Sequence, residues 1–197
     1  MTDCYTEIQT TPPDPKFLGF EAQKVLSEHL AFDYDLYGYI EDDLIIHDLS
    51  FFHKLTWLTK VMGHDFVLLP HRYELFPTPH SLVDRFYIDG PICDQELRRL
   101  IPDESPIRFA QWGGINIPFT SPSNPHSGCF FLNHPQLQSW VDSDVWQDDD
   151  ISFISPLESA ATLGISKMFN IVKPADTHSS WLEIQHYGTS FHSLIGS

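Results

Sequence analysis

The sequence predicts an α/β fold, a mostly parallel sheet flanked by helices, formed by one domain that spans residues 1–197. Helical and strand patterns alternate between Leu18 and Pro70, as they do in a chain that crosses back and forth over a parallel sheet. The strand patterns are short apolar runs bounded by charges, which is typical of strands buried on both faces. A chain of 197 residues with 42% hydrophobic and 14% aromatic content also has enough material for one sizeable core.

Two helices and two strands can be placed in the first third of the chain. Apolar residues at helical spacing predict a helix over residues 18–31 and a second one that begins near Leu49 and ends at Gly63. Short apolar or aromatic runs predict strands over residues 36–40 and 66–70. In a parallel sheet of this kind, ligands bind beyond the carboxyl ends of the strands.

The rest of the chain has weaker patterns. Residues 76–127 are rich in Pro, Ser and Gly and predict a substrate-facing excursion with short strands and one helix near Glu96. The final third is more regular. The middle segment has predicted strands over residues 85–88 and 108–112. The final third has predicted strands over residues 129–132 and 168–172 and predicted helices over residues 136–141 and 157–163.

The formal net charge of −16, from 27 acidic and 11 basic side chains, limits the classes of ligand. Basic residues are dispersed rather than gathered, so nucleic acid and an anionic membrane surface are disfavoured as partners. A phosphorylated ligand would need another cation, and a divalent metal held by carboxylates supplies one.

The cysteines and the hydropathy pattern predict a cytoplasmic protein. Cys4, Cys93 and Cys129 are far apart and odd in number, so reduced thiols are expected. No apolar run approaches the length that spans a bilayer, so no transmembrane segment is expected. The first residues also lack the basic flank and hydrophobic stretch of a signal peptide.

Three adjacent acids, Glu41, Asp42 and Asp43, come directly after the aromatic strand pattern over residues 36–40. Like charges at such short range repel one another, and a bound cation would neutralise them. Carboxylates at the end of a strand can bind Mg2+ or Mn2+, whose other positions are filled by water and phosphate oxygens. The alternative is a solvated turn that caps the helix after it.

This strand and its acids resemble the D-x-D motif of GT-A glycosyltransferases, with Glu41 in place of the first Asp. The resemblance implies an incomplete GT-A, Rossmann-like domain that binds a nucleotide-sugar donor together with Mn2+ or Mg2+. It assigns Glu41, with Asp42 beside it, to the donor and Asp43 to the metal. Only residues 1–40 precede the motif, too few for the usual nucleotide-binding βαβ unit, so truncation at the amino end is also expected.

A further acid, Glu158, opens a predicted helix after Ser155 and Pro156. It resembles the helix-start motif of inverting GT-A enzymes, although Ser159 stands where the family often has a further Asp. In the family this carboxylate takes the proton of the acceptor hydroxyl, and attack on an anomeric carbon requires such a proton acceptor. The alternative is a glutamate that caps the helix and favours its dipole.

A histidine late in the sequence, His186, lies where many GT-A enzymes supply another metal ligand. The resemblance implies that His186 binds the metal, with His178 as a rival. Imidazole is a good ligand for Mn2+. Because the chain has 11 histidines, a structural or exposed role is the alternative for either one.

Asn124, His126 and Gly128 precede a predicted strand, in a segment that resembles the small-residue loop on the acceptor side of the family. The amide and the imidazole can hydrogen-bond sugar hydroxyls, and glycine allows close approach of the backbone. An ordinary turn is the alternative. Arg72, one of few cations, either faces the donor diphosphate or pairs with Glu74.

The serial order of these pieces, rather than any one of them, predicts the function. The resemblance covers roughly residues 14–190. It implies a metal-dependent transferase that moves a sugar from a nucleotide-sugar to a glycan or glycolipid acceptor, as in the biosynthesis of a surface polysaccharide.

Two other classes of function remain open. His47-Asp48, His126 and His186 could serve an iron oxygenase or metallohydrolase, although no compact H-x-D or H-E-x-x-H pattern is present. The alternative without catalysis is a carbohydrate- or partner-binding domain. Its stacking faces would come from four tryptophans: Trp57, Trp112, Trp140 and Trp181.

Overall fold

The structure is a computed structural model that describes residues 5–77, 83–92 and 106–191. The helices in these ranges are α1 Leu18–Glu28, α2 Phe51–Met62, α3 His134–Val141 and α4 Pro156–Met168. The strands are β1 Tyr37–Ile40, β2 Leu44–Ile45, β3 Phe66–Leu68, β4 His71–Pro77, β5 Val83–Tyr87, β6 Arg108–Trp112, β7 Ile115–Thr120, β8 Cys129–Leu132, β9 Asn170–Pro174 and β10 Glu183–His186. Short 3-10 turns lie at Pro15–Phe17, Leu30–Phe32 and Asp176–Trp181.

The described strands form three sheets, and most of their pairings are antiparallel. The strand orders are β1-β8, β2-β10-β4-β5 and β3-β9-β7-β6. Among these strands, only the β10/β4 and β3/β9 pairs are parallel. The prediction of a mostly parallel, Rossmann-like GT-A sheet is therefore wrong, and the fold is a mixed α/β arrangement rich in antiparallel pairing.

The error arises from the alternation of helices and strands early in the chain. Alternation predicts a parallel sheet only when the strands on either side of a helix pair in the same sheet. Here β1 pairs with β8 in antiparallel register, with Tyr37 opposite Leu132. Strand β3 instead pairs with β9, with Phe66 opposite Asn170. Helix α2 therefore connects two different sheets rather than two strands of one sheet.

Most individual elements lie close to their predicted positions. The first helix ends earlier than predicted, at Glu28, and the chain continues after His29 as a 3-10 turn. Helix α2 ends before Gly63, as predicted, and that glycine has a φ of 91° that other residues rarely adopt. The sequence patterns missed strands β2, β4, β7 and β10; β2 has only two residues, and β7 contains Pro118, which argues against a strand.

Some predictions fall outside the described residues, namely the helix near Glu96 and the thiols of Cys4 and Cys93. Cys129 is described, and it is a free, buried cysteine. Within the described ranges, no helix is both long enough and apolar enough to cross a bilayer.

The β1-β8 pair forms a wall between two apolar cores. All four residues of β8 are buried, because successive side chains point to opposite faces and both faces are covered. Phe131 packs in the core around α2, whereas Phe130 packs in the core beneath α1, α3 and α4. Gly38 of β1 lies against the Phe131 ring, where a Cβ would come within 2.5 Å of a ring carbon. This close packing fixes the end of β1, from which the acidic turn follows.

Helix α4 is deeply buried beyond its first turn, which carries the predicted catalytic base. Ser155 caps the helix by accepting a backbone N–H at 3.3 Å, and Pro156 occupies its first position. All residues from 159 to 166 are buried. Gly164 lets the helix approach Trp140, because a Cβ there would lie 2.2 Å from a ring carbon of the indole.

Replacing Gly164 with alanine should destabilise the fold. The added methyl group overlaps the buried Trp140 ring, and overpacking of this kind costs about 1–3 kcal/mol, more than the gain in helix propensity. Urea unfolding of Gly164→Ala measures the loss. The matched control is Gly90→Ala, where a Cβ meets no atom within 4 Å. Equal stabilities of the two variants would contradict this packing.

Candidate active site

A cavity of about 760 Å³ opens beyond the end of β1, between the amino ends of α1 and α4 and the strands β4 and β10. It lies within the size range of small-molecule sites. Eight of the nine residues predicted for the site line it: Glu41, Asp42, Asp43, Arg72, Asn124, His126, Glu158 and His186. The ninth, Gly128, lies directly behind Glu41, so the tertiary structure brings together residues from distant parts of the chain.

The acidic turn is held in place by backbone hydrogen bonds on both sides. The N–H of Glu41 donates to the carbonyl of Gly128 at 2.9 Å, which ties the turn to the start of β8. Beyond the turn, Leu44 of β2 pairs with His186 of β10 in antiparallel register. The N–H of Tyr187 then donates to the carbonyl of Asp43 at 2.7 Å. This pairing places Asp43 beside His186.

The imidazole of His186 lies between two carboxylates. Its Nδ1 is 3.1 Å from Oε1 of the buried Glu74, and its Nε2 is 3.1 Å from Oδ2 of Asp43. If Nδ1–H donates to Glu74, the lone pair of Nε2 faces the Asp43 oxygen. Two lone pairs at this distance repel each other, so a proton or a cation between them is favoured.

Asp43 and His186 are the two residues here that could bind a divalent metal. Oδ1 of Asp43 is buried and has no hydrogen-bond partner in the described part of the chain. Two ligand atoms bound side by side to an octahedral Mg2+ or Mn2+ lie about 3 Å apart, close to the observed separation. The contact with Glu74 is the carboxylate–histidine support that metal-binding histidines usually have.

The protein would supply only part of the coordination shell. Within the described ranges, no three His, Cys, Asp or Glu side chains are grouped so that they could hold a metal ion. Mg2+ is commonly bound by one or two protein carboxylates, with water and substrate phosphates in the remaining positions. The arrangement therefore suits a metal that binds together with a phosphorylated ligand.

Glu41 is a half-buried acid whose pKa lies well above its usual value. Burial, together with the negative charges of Asp43, Glu158 and Asp42, raises its pKa to about 7 against the opposing effect of Arg72. The carboxyl lies against Gly128, where a Cβ would come within 2.6 Å of Oε2. Gly128 has a φ of 62°, so both the space and the backbone conformation favour glycine there.

The pKa of Tyr39, near the end of β1, is affected by two acids of the cavity. Burial raises the pKa of its phenol, and the charges of Glu41 and Glu158 raise it further. Glu158 accepts a hydrogen bond from the hydroxyl of Ser155, the residue that caps α4. It also lines the cavity.

The cation of the cavity wall, Arg72, belongs to a buried charge cluster. Its Nε donates to Oδ1 of Asp89 at 2.8 Å, and Nζ of Lys173 donates to Oδ2 of the same carboxylate at 2.7 Å. The ammonium of Lys173 and the guanidinium of Arg72 outweigh the effect of burial and hold the pKa of Asp89 below its usual value. Asp89 is therefore an ion-pair partner of Arg72 that the sequence patterns did not predict.

The loop before β8 is fixed by its own side chains. The amide oxygen of Asn124 accepts the N–H of His126 at 3.0 Å, and its Nδ2 donates to the carbonyl of Gly90 at 3.2 Å. Nδ1 of His126 lies 2.8 Å from the hydroxyl of Thr162. Burial lowers the pKa of His126 well below its usual value, so the ring is neutral. Contact of this loop with an acceptor stays a prediction.

The other candidate residues, His178, His47 and the four tryptophans, are not part of the cavity lining. His178 lies in a 3-10 turn beside Thr177, and Nε2 of His47 contacts the side chain of Gln185 at 2.7 Å. Trp140 is buried. The other three tryptophans pack edge to face on one another: Trp57, Trp112 and Trp181.

Sequence reasoning missed Asp89 and Lys173, and it named Glu74 only as a partner of Arg72 and not of His186. Glu74 lies two residues after Arg72 on the same face of β4, so an alternating pattern could have placed it at the site. Asp89 and Lys173 come from distant segments, and no local signal relates them to the site.

No protein-family model, curated protein or solved structure matches this chain. The function proposed below is therefore inferred from the side chains of the cavity.

The raised pKa of Glu41 makes stability depend on pH. Its favourable contribution is present below about pH 4.5 and is lost as the pH rises through about 7, where the buried carboxyl ionises. Glu41→Gln should therefore gain stability relative to the natural chain by about 1–2 kcal/mol between pH 5 and pH 8, allowing for solvent screening. Urea unfolding at both values measures this difference, with the exposed Glu7→Gln as control. If the stability difference between Glu41→Gln and the natural chain were the same at pH 5 and pH 8, the burial of this acid would be contradicted.

Removing the charge of Asp89 should be strongly destabilising. Asp89→Asn leaves two buried cations without their counterion, and such a change typically costs about 3–5 kcal/mol. Thermal and urea unfolding measure the loss against Asp144→Asn, which removes the same charge from an exposed position. Similar stabilities of the two variants would be inconsistent with the charge cluster.

Proposed function

We propose that this chain is a metal-dependent glycosyltransferase, which moves a sugar from a nucleotide-sugar donor to a hydroxyl of a glycan or glycolipid acceptor. The observation that carries the proposal is the facing pair of Asp43 and His186, 3.1 Å apart in a cavity that also contains Glu158. The proposal rests on these side chains and does not depend on a parallel sheet.

The pair of Asp43 and His186 is the candidate metal site for Mn2+ or Mg2+. The bound metal would neutralise negative charge on the diphosphate of the donor and on the nucleoside diphosphate that leaves. Glu74 holds the imidazole in the orientation that directs Nε2 toward Asp43. A mixed nitrogen and oxygen ligand set suits Mn2+ better than Mg2+.

The donor would lie along the wall that contains Arg72 and Glu41. Arg72 is the only Lys or Arg among the described residues that line the cavity, so it is the candidate cation for the diphosphate. The cluster of Arg72, Asp89 and Lys173 has a net charge of +1, because two cations share one carboxylate. Glu41 lines the same wall and, when protonated, can donate a hydrogen bond to an oxygen of the donor.

Glu158 is the candidate base for the acceptor. In the transfer step, the acceptor oxygen forms a bond to the anomeric carbon, and the bond from that carbon to the diphosphate oxygen breaks. The electron pair of the broken bond leaves with the nucleoside diphosphate, and the proton of the acceptor hydroxyl moves to the Glu158 carboxylate. Asn124 and His126 are the candidate hydrogen-bonding groups for hydroxyls of the acceptor.

The two alternative functions have less support. A mononuclear iron oxygenase needs three protein ligands on one metal, and no such group occurs within the described ranges. The tryptophans that a carbohydrate-binding domain was expected to use are packed, because Trp140 is buried and the other three contact one another. Neither alternative accounts for the convergence of Asp43, His186 and Glu158 in one cavity.

The proposal separates metal binding from proton transfer. Asp43→Asn should weaken Mn2+ binding at least about tenfold, because it removes an anionic ligand. Glu158→Gln should keep the Mn2+ affinity and lower kcat by about 10²–10⁴-fold, the usual contribution of a general base. Electron paramagnetic resonance measures bound Mn2+, and release of nucleoside diphosphate from a panel of nucleotide-sugars measures turnover.

Each variant has a matched control elsewhere on the surface. Asp144→Asn and Glu28→Gln make the same chemical changes at exposed positions and should alter neither quantity. Full turnover by Glu158→Gln would refute the role of the base. Unchanged Mn2+ binding by Asp43→Asn would refute the metal site.

A further inference from the structure

The mouth of the cavity has a rim of exposed apolar side chains. Leu18 is 51% exposed, Ile40 44%, Ile154 65% and Leu157 46%, and all four line the cavity. They come from the start of α1, the end of β1 and the segment that enters α4. Single exposed apolar residues are common on protein surfaces, but four that converge on one opening indicate contact with an apolar ligand. We call these four residues the apolar rim.

The lining of the cavity has polar and apolar parts. The acids of the turn after β1, Arg72 and His186 are polar, whereas the apolar rim, Ala22 and Ile92 are apolar. The candidate base, Glu158, follows Leu157 of the rim directly in the first turn of α4. A ligand that contacts both kinds of lining would combine a hydroxyl group with a hydrocarbon group.

Ile154 is held in an unfavourable backbone conformation. Its φ is 46°, in the left-handed region that β-branched residues almost never adopt. Its neighbours fix this geometry, since the backbone of Phe153 is bonded to the Ser159 hydroxyl at 2.8 Å and 3.2 Å, and Ser155 caps α4. Strain of this kind persists where the surrounding structure imposes it, and it clusters at functional sites. Here it displays an isoleucine side chain to solvent at the cavity mouth.

The charges near the rim limit the head group of its ligand. Asp42 and Glu158 line the same cavity, and the whole chain has a formal net charge of −16. An anionic lipid head group or an anionic membrane surface would be repelled. Charge therefore disfavours an anionic ligand, and the transferase function proposed above selects a neutral, sugar-bearing molecule whose hydrocarbon part covers the rim.

We propose that the apolar rim binds the hydrocarbon part of a neutral glycolipid-like acceptor and thereby presents a sugar hydroxyl to Glu158. The proposal rests on the proposed transferase function for the role of Glu158, but binding at the rim can be measured without metal or donor. It names the acceptor class as an amphiphile rather than a free, fully polar glycan.

The test compares two probes that share one sugar. Octyl β-D-glucopyranoside, kept below its micelle concentration, and methyl β-D-glucopyranoside are titrated into the full chain and followed by calorimetry. The octyl glycoside should bind at least about tenfold more tightly, because burial of each methylene group adds to affinity. Equal affinities would overturn the proposal.

Ile154→Asn is the informative variant, because asparagine tolerates the left-handed region whereas isoleucine does not. It should weaken octyl glycoside binding at least about fivefold while Tm stays the same or rises by a few degrees. Leu18→Ser should also weaken binding. The control is Ile115→Asn, at a residue that is 60% exposed on β7, and it should leave binding unchanged. Loss of binding in the control to the same degree, or full binding by both rim variants, would refute the proposal.

Two other occupants of the rim would also be detected. If Ile154→Asn weakens uridine binding but not octyl glycoside binding, the rim holds the donor base and the proposal is wrong. If the natural chain dimerises in sedimentation and Ile154→Asn does not, the rim is covered by a second copy and the proposal is wrong. Binding of octyl glycoside at the rim without turnover of any nucleotide-sugar would support this inference while contradicting the transferase. Turnover with methyl glycosides, without binding of octyl glycoside at the rim, would support the transferase and refute this inference.

Discussion

The pairing of two residues of β2 with β10 is the constraint on which the site depends. It sets Leu44 opposite His186 and so brings Asp43 to the imidazole. The parallel pairing of β10 with β4, in which Ile184 lies opposite Arg72, aligns Arg72 and Glu74 along the next strand. A slip of one residue in either register would turn these side chains to the opposite face of the sheet. The cavity chemistry therefore depends on strand register more than on any helix.

The electrostatics of the cavity are a balance between acids at its surface and cations behind it. Burial makes ionised Glu41 unfavourable, and the neighbouring carboxylates add to this effect. Behind the wall, Arg72 and Lys173 share Asp89 and leave one positive charge in excess. An anionic ligand accompanied by a divalent cation would satisfy both halves of this balance.

Local patterns predicted much of the secondary structure but not the fold class. Helix α2 ends before Gly63 and β8 spans the predicted residues 129–132, because capping and hydrophobic runs act over a few residues. The partners of the strands are decided by contacts between distant segments, such as Tyr37 with Leu132. The alternation of helices and strands therefore predicts a parallel sheet, and this prediction is wrong because β1 and β3 belong to different sheets.

Local sequence patterns were enough to select the candidate residues: the acids after β1, the acid that opens α4 and a histidine late in the sequence. These signals are local, since each depends on a residue type next to the end of one strand or helix. The contact of Asp43 with His186, the support of Arg72 by Asp89 and Lys173, and the apolar side chains of the cavity lining depend on the three-dimensional fold. Those facts follow from the pairing and burial of distant segments, because the free energies that select such contacts belong to the folded chain as a whole.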